Sequence, residues 1–185
     1  MKKINKFLSK EPAWRPVEEW SPDELPPSVK DWLSESGSLT RRIKNNFAGE
    51  FGVQLQEQGH GQALPDDAKQ LMIGPQGEAF IREVVLTVAG NPVVFARTTV
   101  PNASLQTLDK LTKLGNIPLG EVIFSYPDLQ RPHLQVAKIL IQDLSEHTAK
   151  MLGGDEHVWA RRNTYKIEGC LFLVSEFFLP IMFEA

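Results

Sequence analysis

The chain has 185 residues, of which 42% are hydrophobic and 23% are charged, and this suits one globular domain with its own core. A net charge of -3 excludes a general electrostatic attraction to nucleic acid, and a single cysteine excludes an internal disulfide. The basic start of the chain lacks the apolar stretch of a secretory signal, and no segment has the roughly 20 apolar residues of a membrane span, so we expect a soluble cytoplasmic protein.

The first predicted unit is an extended arm, residues 1–29, rich in proline, charge and tryptophan. Trp14 and Trp20 are expected to attach it to the body of the protein, because free tails seldom carry two tryptophans. Downstream, Ser28 predicts the start of a short helix and Ser38 predicts a second helical turn. The remainder of the chain, residues 30–185, is predicted to form one domain.

The clearest element is a β-hairpin at residues 78–101, which read EAFIREVVLTVAGNPVVFARTTVP. Two β-rich runs flank the turn signal AGNP. Alternate residues of a strand share a face, so Arg82 lies among apolar side chains such as Phe80 and Val84. The second strand carries Arg97 near its end.

The later segments complete an α+β pattern. Residues 52–56 predict a strand, and residues 102–115 predict a helix because leucines recur at about helical spacing. Residues 133–152 are apolar and ambiguous between strand and helix, while 163–180 predict two strands joined around Glu168–Gly169. Hairpins dominate and strands do not alternate regularly with helices, so the fold class is α+β with an antiparallel sheet.

One carboxylate stands out in the last of these strands, FLVSEFFLP at residues 172–180. Glu176 shares a face with Phe172, Val174 and Phe178, and the opposite face is also apolar. A buried carboxylate requires a partner or a proton. A compensating group is therefore expected elsewhere in the chain or in a ligand.

Five charged residues supply the candidate chemistry: Arg82, Arg97, Arg161, Arg162 and Glu176. A buried Arg82–Glu176 pair that only neutralises itself is one interpretation, although such pairs add little stability. The other is a ligand site, because arginine grips a carboxylate with two hydrogen bonds and glutamate accepts one from a hydroxyl. That pair suits a small cyclic acid with a hydroxyl at its far end. Phosphate-loop, dinucleotide and zinc-protease motifs are missing from the sequence, and the four histidines are scattered, so no metal site is predicted.

The chain resembles the bacterial chorismate pyruvate-lyases. The matching pieces are DWLSESGSLTRRIK (31–44), FIREVVLTVAGNPVVFARTTVP (80–101), LGNIPLGEVIF (114–124) and VWARRNTYKIEGCLFLVSEFFLP (158–180). The family reads approximately DWL…SMTKRF, WLREILL…GRTVVP, LG…PLGR and W.RRS…LLLTELFLP. No single piece is diagnostic, but their order, type and spacing agree.

This resemblance implies a single α+β domain with a six-stranded antiparallel sheet flanked by helices, and a product site beneath mobile flaps. It implies that Arg82 binds the ring carboxylate and that Glu176 meets the 4-hydroxyl group. It also implies that the backbone of Leu119 contacts the product and that Leu39 is a flap residue. Leu39 falls where the family often has methionine.

The implied activity is that of a carbon–oxygen lyase, which converts chorismate into 4-hydroxybenzoate and pyruvate and supplies the ring precursor of ubiquinone. The resemblance further implies product inhibition, a monomer, and neither metal nor organic cofactor. Arg97, or else Arg161 or Arg162, could hold the enolpyruvyl carboxylate. Two departures are visible: PLGE replaces PLGR, and residues 139–156 look like a loop-scale insertion.

A binding module is the alternative, since sensor domains of one group of bacterial transcription factors resemble the chorismate lyase fold. Such a domain would bind hydroxybenzoate or another small aromatic acid without converting it. Only about 30 residues precede the matching region, too few for the DNA-binding domain of those regulators. The acidic charge balance also argues against contact with DNA.

Overall fold

The computed structural model describes residues 8–75, 77–152 and 156–184. Its strands are β1 (Arg15–Pro16), β2 (Phe51–Gln62), β3 (Glu78–Val88), β4 (Asn91–Pro101), β5 (Gln130–Leu140), β6 (His157–Ile167) and β7 (Cys170–Phe178). Its α-helices are α1 (Pro27–Leu33), α2 (Leu39–Asn46), α3 (Pro65–Gln70), α4 (Asp109–Thr112), α5 (Leu119–Ile123) and α6 (Glu146–Leu152). In this part of the chain no helix is long and apolar enough to cross a membrane.

The strands form one antiparallel sheet in the order β1-β5-β6-β7-β4-β3-β2, which confirms the α+β class. The sheet has seven strands, so the expectation of six was wrong. The additional strand is the two-residue β1 of the arm, where Arg15 pairs with Val136 of β5. Two residues carry no alternating pattern, and for that reason the sequence did not reveal this strand.

The arm is attached to the sheet by its tryptophans, as predicted. Trp20 packs edge-on against Trp159, with 5.3 Å between the ring centroids, and Trp14 lies 6.5 Å from Phe177. At its beginning the described arm meets the 139–156 segment, where Leu8 forms a β-bridge with Leu144. The arm and the 139–156 segment therefore contact each other. Residues 1–7 and 153–155 lie outside the described residues.

The segment expected to be a loop-scale insertion carries regular structure. It contains the end of β5, a short 3-10 helix (Ile141–Asp143) and the helix α6. The ambiguous 133–152 region is thus a strand followed by a helix. Residues 102–115, predicted as one helix, form only a 3-10 turn and the short α4. Their leucines still face the core, because Leu108 and Leu111 are buried in irregular backbone.

Both predicted hairpins are present. β3 and β4 meet at Ala89 and Gly90, and β6 and β7 meet at Glu168 and Gly169; all four residues have positive φ. Such a pair of left-handed residues matches the twist of the flanking strands. The strands of the second hairpin begin earlier than expected, at His157, and β2 is longer than the predicted 52–56.

The predicted helices after the arm are also present. α2 is capped by Ser38, whose Oγ accepts a hydrogen bond from the backbone N–H of Arg41 at 3.3 Å. α1 begins at Pro27 without a side-chain cap, and Ser28 lies inside it. α1 and α2 pack on the sheet through buried Leu33 and Ile43. They cover the face of the sheet that carries the site.

Side chains of the four central strands divide between two faces. One face, called here the cavity face, carries Arg82, Thr98, Val174 and Asn163 in one row across β3, β4, β7 and β6. The next row on the same face carries Val84, Ala96, Glu176 and Arg161. The rear face carries Glu83, Arg97, Ser175 and Arg162 in the row between them.

Candidate active site

A cavity lies between the cavity face of the sheet and the elements that cover it. α2 and its preceding loop close one part, and α5 with Pro118 closes another. Its walls are mainly apolar, with polar groups from a few side chains. Its lining includes Leu39, Arg82, Leu119, Arg161, Tyr165 and Glu176.

Arg82 brings a positive charge into this cavity. Its side chain is only 2% exposed, and its Nη2 donates hydrogen bonds to the carbonyl oxygens of Gly115 at 2.8 Å and Ile117 at 3.0 Å. Its Nε is buried and has no hydrogen-bond partner among the described residues. Burial lowers the pKa of Arg82 to about 10, and no neighbouring carboxylate opposes that effect in the described part of the chain. This guanidinium is therefore prepared to bind an anion.

Glu176 has the partner that its sequence context required, and that partner is Arg161. Arg161 Nε donates to Glu176 Oε2 at 2.5 Å from the adjacent strand. Burial alone would lower the pKa of Arg161, but the negative charge of Glu176 raises it overall. Arg161 Nη1 also donates to the carbonyl oxygen of Glu35 at 3.0 Å. The Arg82–Glu176 pair considered from sequence is therefore not formed, and Arg82 and Glu176 are separately available to a ligand.

Leu39 and Leu119 lie on the two elements that cover the cavity, each as the first residue of its helix. Both line the cavity. The two helices are joined outside it by an ion pair, in which Lys44 Nζ of α2 lies 3.2 Å from Glu121 Oε1 of α5. Glu121 is the acidic residue of PLGE. The sequence departure thus places a carboxylate where it links the two covering helices.

Arg97 does not reach the cavity. It lies on the rear face, where its Nη1 is 2.5 Å from Glu83 Oε1 and its Nε is 4.0 Å from Asp67 Oδ2. Arg162 lies on the same face and pairs with Asp66 at 2.7 Å. Burial raises the pKa of Asp67 even though the charges of Arg97 and Arg162 act against this.

A β-bulge explains the position of Arg97. Counting back from the two-residue turn, an unbroken ladder would place Arg97 directly opposite Arg82. The register shifts by one between Leu86 and Thr87, so Arg82 faces Thr98 and Arg97 faces Glu83. A one-residue shift moves every following side chain to the other face. The sequence contains no signal that identifies this bulge.

Sequence reasoning missed Tyr165, which lines the cavity from β6. Burial, and then the nearby negative charge of Glu176, raise the pKa of its phenol. The available signal was alternation, since Tyr165 lies two and four residues beyond Asn163 and Arg161 on one face of a strand.

The cavity thus offers a cation on β3 and a carboxylate on β7, with β4 between these two strands. Two inter-strand spacings separate β3 from β7 by about 10 Å. Both groups project into the same apolar space. Such an arrangement can hold a small ring that carries an acid at one end and a hydroxyl at the other.

Comparison with known sequences places these features in a family. Residues 8–185 match the family model for chorismate lyase. A probable chorismate pyruvate-lyase of Halorhodospira halophila is 36% identical over 173 residues, which are 91% of this chain and 90% of the relative. One from Shewanella amazonensis is 37% identical over 169 residues, covering 87% of this chain and 86% of the relative.

Solved structures support the fold. The effector domain of PhnF from Mycobacterium smegmatis has a TM-score of 0.59 at 18% identity, covering 78% of this chain and 90% of that domain. The C-terminal domain of the histidine utilization repressor from Pseudomonas syringae has a TM-score of 0.56 at 15% identity, covering 72% of this chain and 94% of that domain. At these identities the likeness concerns the fold alone.

Proposed function

The chain belongs to the chorismate lyase family, and from that membership we propose that it converts chorismate into 4-hydroxybenzoate and pyruvate, supplying the ring precursor of ubiquinone. The observation that carries the proposal is that Arg82 and Glu176 line one cavity without pairing with each other. An acid at one end of a ring and a hydroxyl at the other fit these two groups.

Arg82 is proposed to bind the ring carboxylate. It is buried and its Nη2 is held by two backbone carbonyl oxygens, so the protein itself fixes the position of the guanidinium. Fixed donors lose little conformational freedom on binding. The ring carboxylate supplies the negative charge that the described surroundings of Arg82 lack.

Glu176 is proposed to orient the hydroxyl at C4. Arg161 engages Oε2, which leaves Oε1 as the oxygen assigned to the ligand. In the reaction the C4–H bond and the C3–O ether bond break, the ring becomes aromatic, and the enolpyruvyl group leaves and takes up a proton to give pyruvate. Glu176 can carry that proton, or it can hold the ring while the proton passes directly to the leaving group.

Arg161 is proposed to stabilise negative charge on the departing enolpyruvyl group. It lines the cavity, whereas Arg97 and Arg162 lie across the sheet in their own ion pairs. The structure therefore favours Arg161 among the three arginines considered from the sequence. A fixed guanidinium next to developing negative charge lowers the energy of the transition state.

Incubation with chorismate tests the proposal. Pyruvate is measured by coupling to lactate dehydrogenase and 4-hydroxybenzoate by chromatography, with R82Q as the control variant. Equal amounts of the two products from the wild type, and a strong decrease in R82Q, are expected. A protein that binds 4-hydroxybenzoate but releases no pyruvate would instead be a binding module, and the proposed activity would be wrong.

A further inference from the structure

The ring of Tyr165 has a fixed position in the cavity wall. Its side chain is 4% exposed, and it stacks on Phe172 of the neighbouring strand with 5.3 Å between centroids and 16° between planes. It lies on the cavity face together with Arg161. The stacking limits where the hydroxyl of Tyr165 can point.

Arg131 determines how that hydroxyl can be used. Its terminal nitrogens donate to the carbonyl oxygen of Glu35 at 3.1 Å and to Asn163 Oδ1 at 3.0 Å, and its Cζ lies 5.3 Å from the centroid of the Tyr165 ring. Arginine has only donors, so this neighbour cannot accept a hydrogen bond from the Tyr165 hydroxyl. The Tyr165 hydroxyl must therefore donate its hydrogen bond to another group.

Tyr165 and Glu176 line the same cavity, so a ligand bound there can accept a hydrogen bond from the phenol. Glu176 lies close enough for its charge to act on the phenol, and the raised pKa keeps the phenol protonated at neutral pH. The proposed function places the C4 oxygen of the ligand next to Glu176. A hydroxyl there can donate to Glu176 while its oxygen accepts from Tyr165.

We infer that Tyr165 is a specificity residue whose phenol donates a hydrogen bond to the oxygen at ring position 4 and so selects a hydroxyl over an amino group at that position. This inference rests on the proposed function, since it takes the ligand orientation from it. Glu176 alone accepts a hydrogen bond from either group. An aromatic amine accepts hydrogen bonds poorly, because its lone pair is delocalised into the ring, and it would leave the buried phenol of Tyr165 unpaired.

The test compares dissociation constants of 4-hydroxybenzoate and 4-aminobenzoate by calorimetry for the wild type, Y165F and Y126F. Tyr126 is the other tyrosine of the chain; it is half-buried and does not line the cavity, which makes it a matched control. The wild type and Y126F should prefer 4-hydroxybenzoate by about tenfold or more. Y165F should bind 4-hydroxybenzoate about tenfold more weakly, and it should bind 4-aminobenzoate at least as tightly as the wild type does, because no phenol is left unpaired.

Two results would overturn the inference. One is a wild-type protein that binds both acids equally, a measurement that requires no variant to fold. The other is a Y165F protein with a wild-type unfolding temperature that keeps the wild-type preference. Failure of the proposed function is distinguishable, because the wild type would then bind neither acid or form no pyruvate from chorismate.

Discussion

Replacing Arg82 by glutamine tests how the ring carboxylate is held. Burial lowers the pKa of Arg82 to about 10, which corresponds to roughly 3 kcal/mol of unfavourable free energy for its charged form. A bound carboxylate relieves that penalty. We therefore expect R82Q to weaken binding of 4-hydroxybenzoate by about 2–5 kcal/mol, or roughly 30-fold to several thousand-fold in dissociation constant.

The matched control for R82Q is a ligand without the acid. Phenol retains the hydroxyl that Glu176 is proposed to orient, so its affinity should change by no more than about threefold. Calorimetric titration of the wild type and R82Q with phenol and with 4-hydroxybenzoate separates loss of the carboxylate contact from collapse of the cavity. An equal loss of affinity for phenol and 4-hydroxybenzoate, or unchanged affinity for both, would refute the role given to Arg82.

Folding should be largely preserved in R82Q. Glutamine loses part of the hydrogen bonding to the carbonyl oxygens of Gly115 and Ile117, but it also removes a buried charge that has no carboxylate partner among the described residues. These two effects oppose each other. The free energy of unfolding, measured in urea without ligand, is expected to change by no more than about 1 kcal/mol.

Three further changes have distinct expected results. Glu176→Gln should lower chorismate turnover with little effect on folding, and full turnover would mean that the C4 proton passes directly to the leaving group. Glu176→Ala should also lower the free energy of unfolding by about 3 kcal/mol, because it leaves the buried Arg161 without its carboxylate partner. Wild-type stability of this variant in urea would contradict that expectation. The pKa of Tyr165 is raised in the folded protein, so the phenol of the unfolded chain ionises first and the free energy of unfolding should be kept below pH 10 and fall above it. The same loss of stability is expected in the control Y126F. If the loss also persists in Y165F, Tyr165 is not its source. Lys44→Ala should speed release of 4-hydroxybenzoate by no more than about fivefold, since an exposed ion pair such as Lys44–Glu121 contributes up to about 1 kcal/mol. The release rate from the wild type, measured by stopped flow, should increase with salt concentration. A rate that does not depend on salt would contradict a role of the Lys44–Glu121 ion pair in holding the two covering helices together.

The candidate site was partly predictable because lone charges on apolar strands are unusual. Arg82 and Glu176 each interrupt a run of buried residues, and the structure places both in one cavity. The partner of Glu176 was not predictable, since the sequence offered four arginines and the pairing considered was with Arg82. Arg161 is chosen by strand pairing, which places it opposite Glu176.

Strand existence was easier to predict than register. The β3–β4 hairpin follows from two β-rich runs and a turn signal, whereas the bulge at Leu86 and Thr87 depends on packing that a sequence pattern does not contain. This single shift separates Arg97 from Arg82. Helices were harder, because Leu108, Leu111 and Leu114 are buried at helical spacing without forming a continuous helix. The spacing reports burial, and local turns can satisfy burial as well as a helix can.

A crystal structure of the protein with 4-hydroxybenzoate would test the central claim most directly. We predict that the ligand carboxylate lies within hydrogen-bonding distance of the Arg82 guanidinium and that its hydroxyl lies against Glu176. A ligand bound in the opposite orientation, or outside this cavity, would contradict the account.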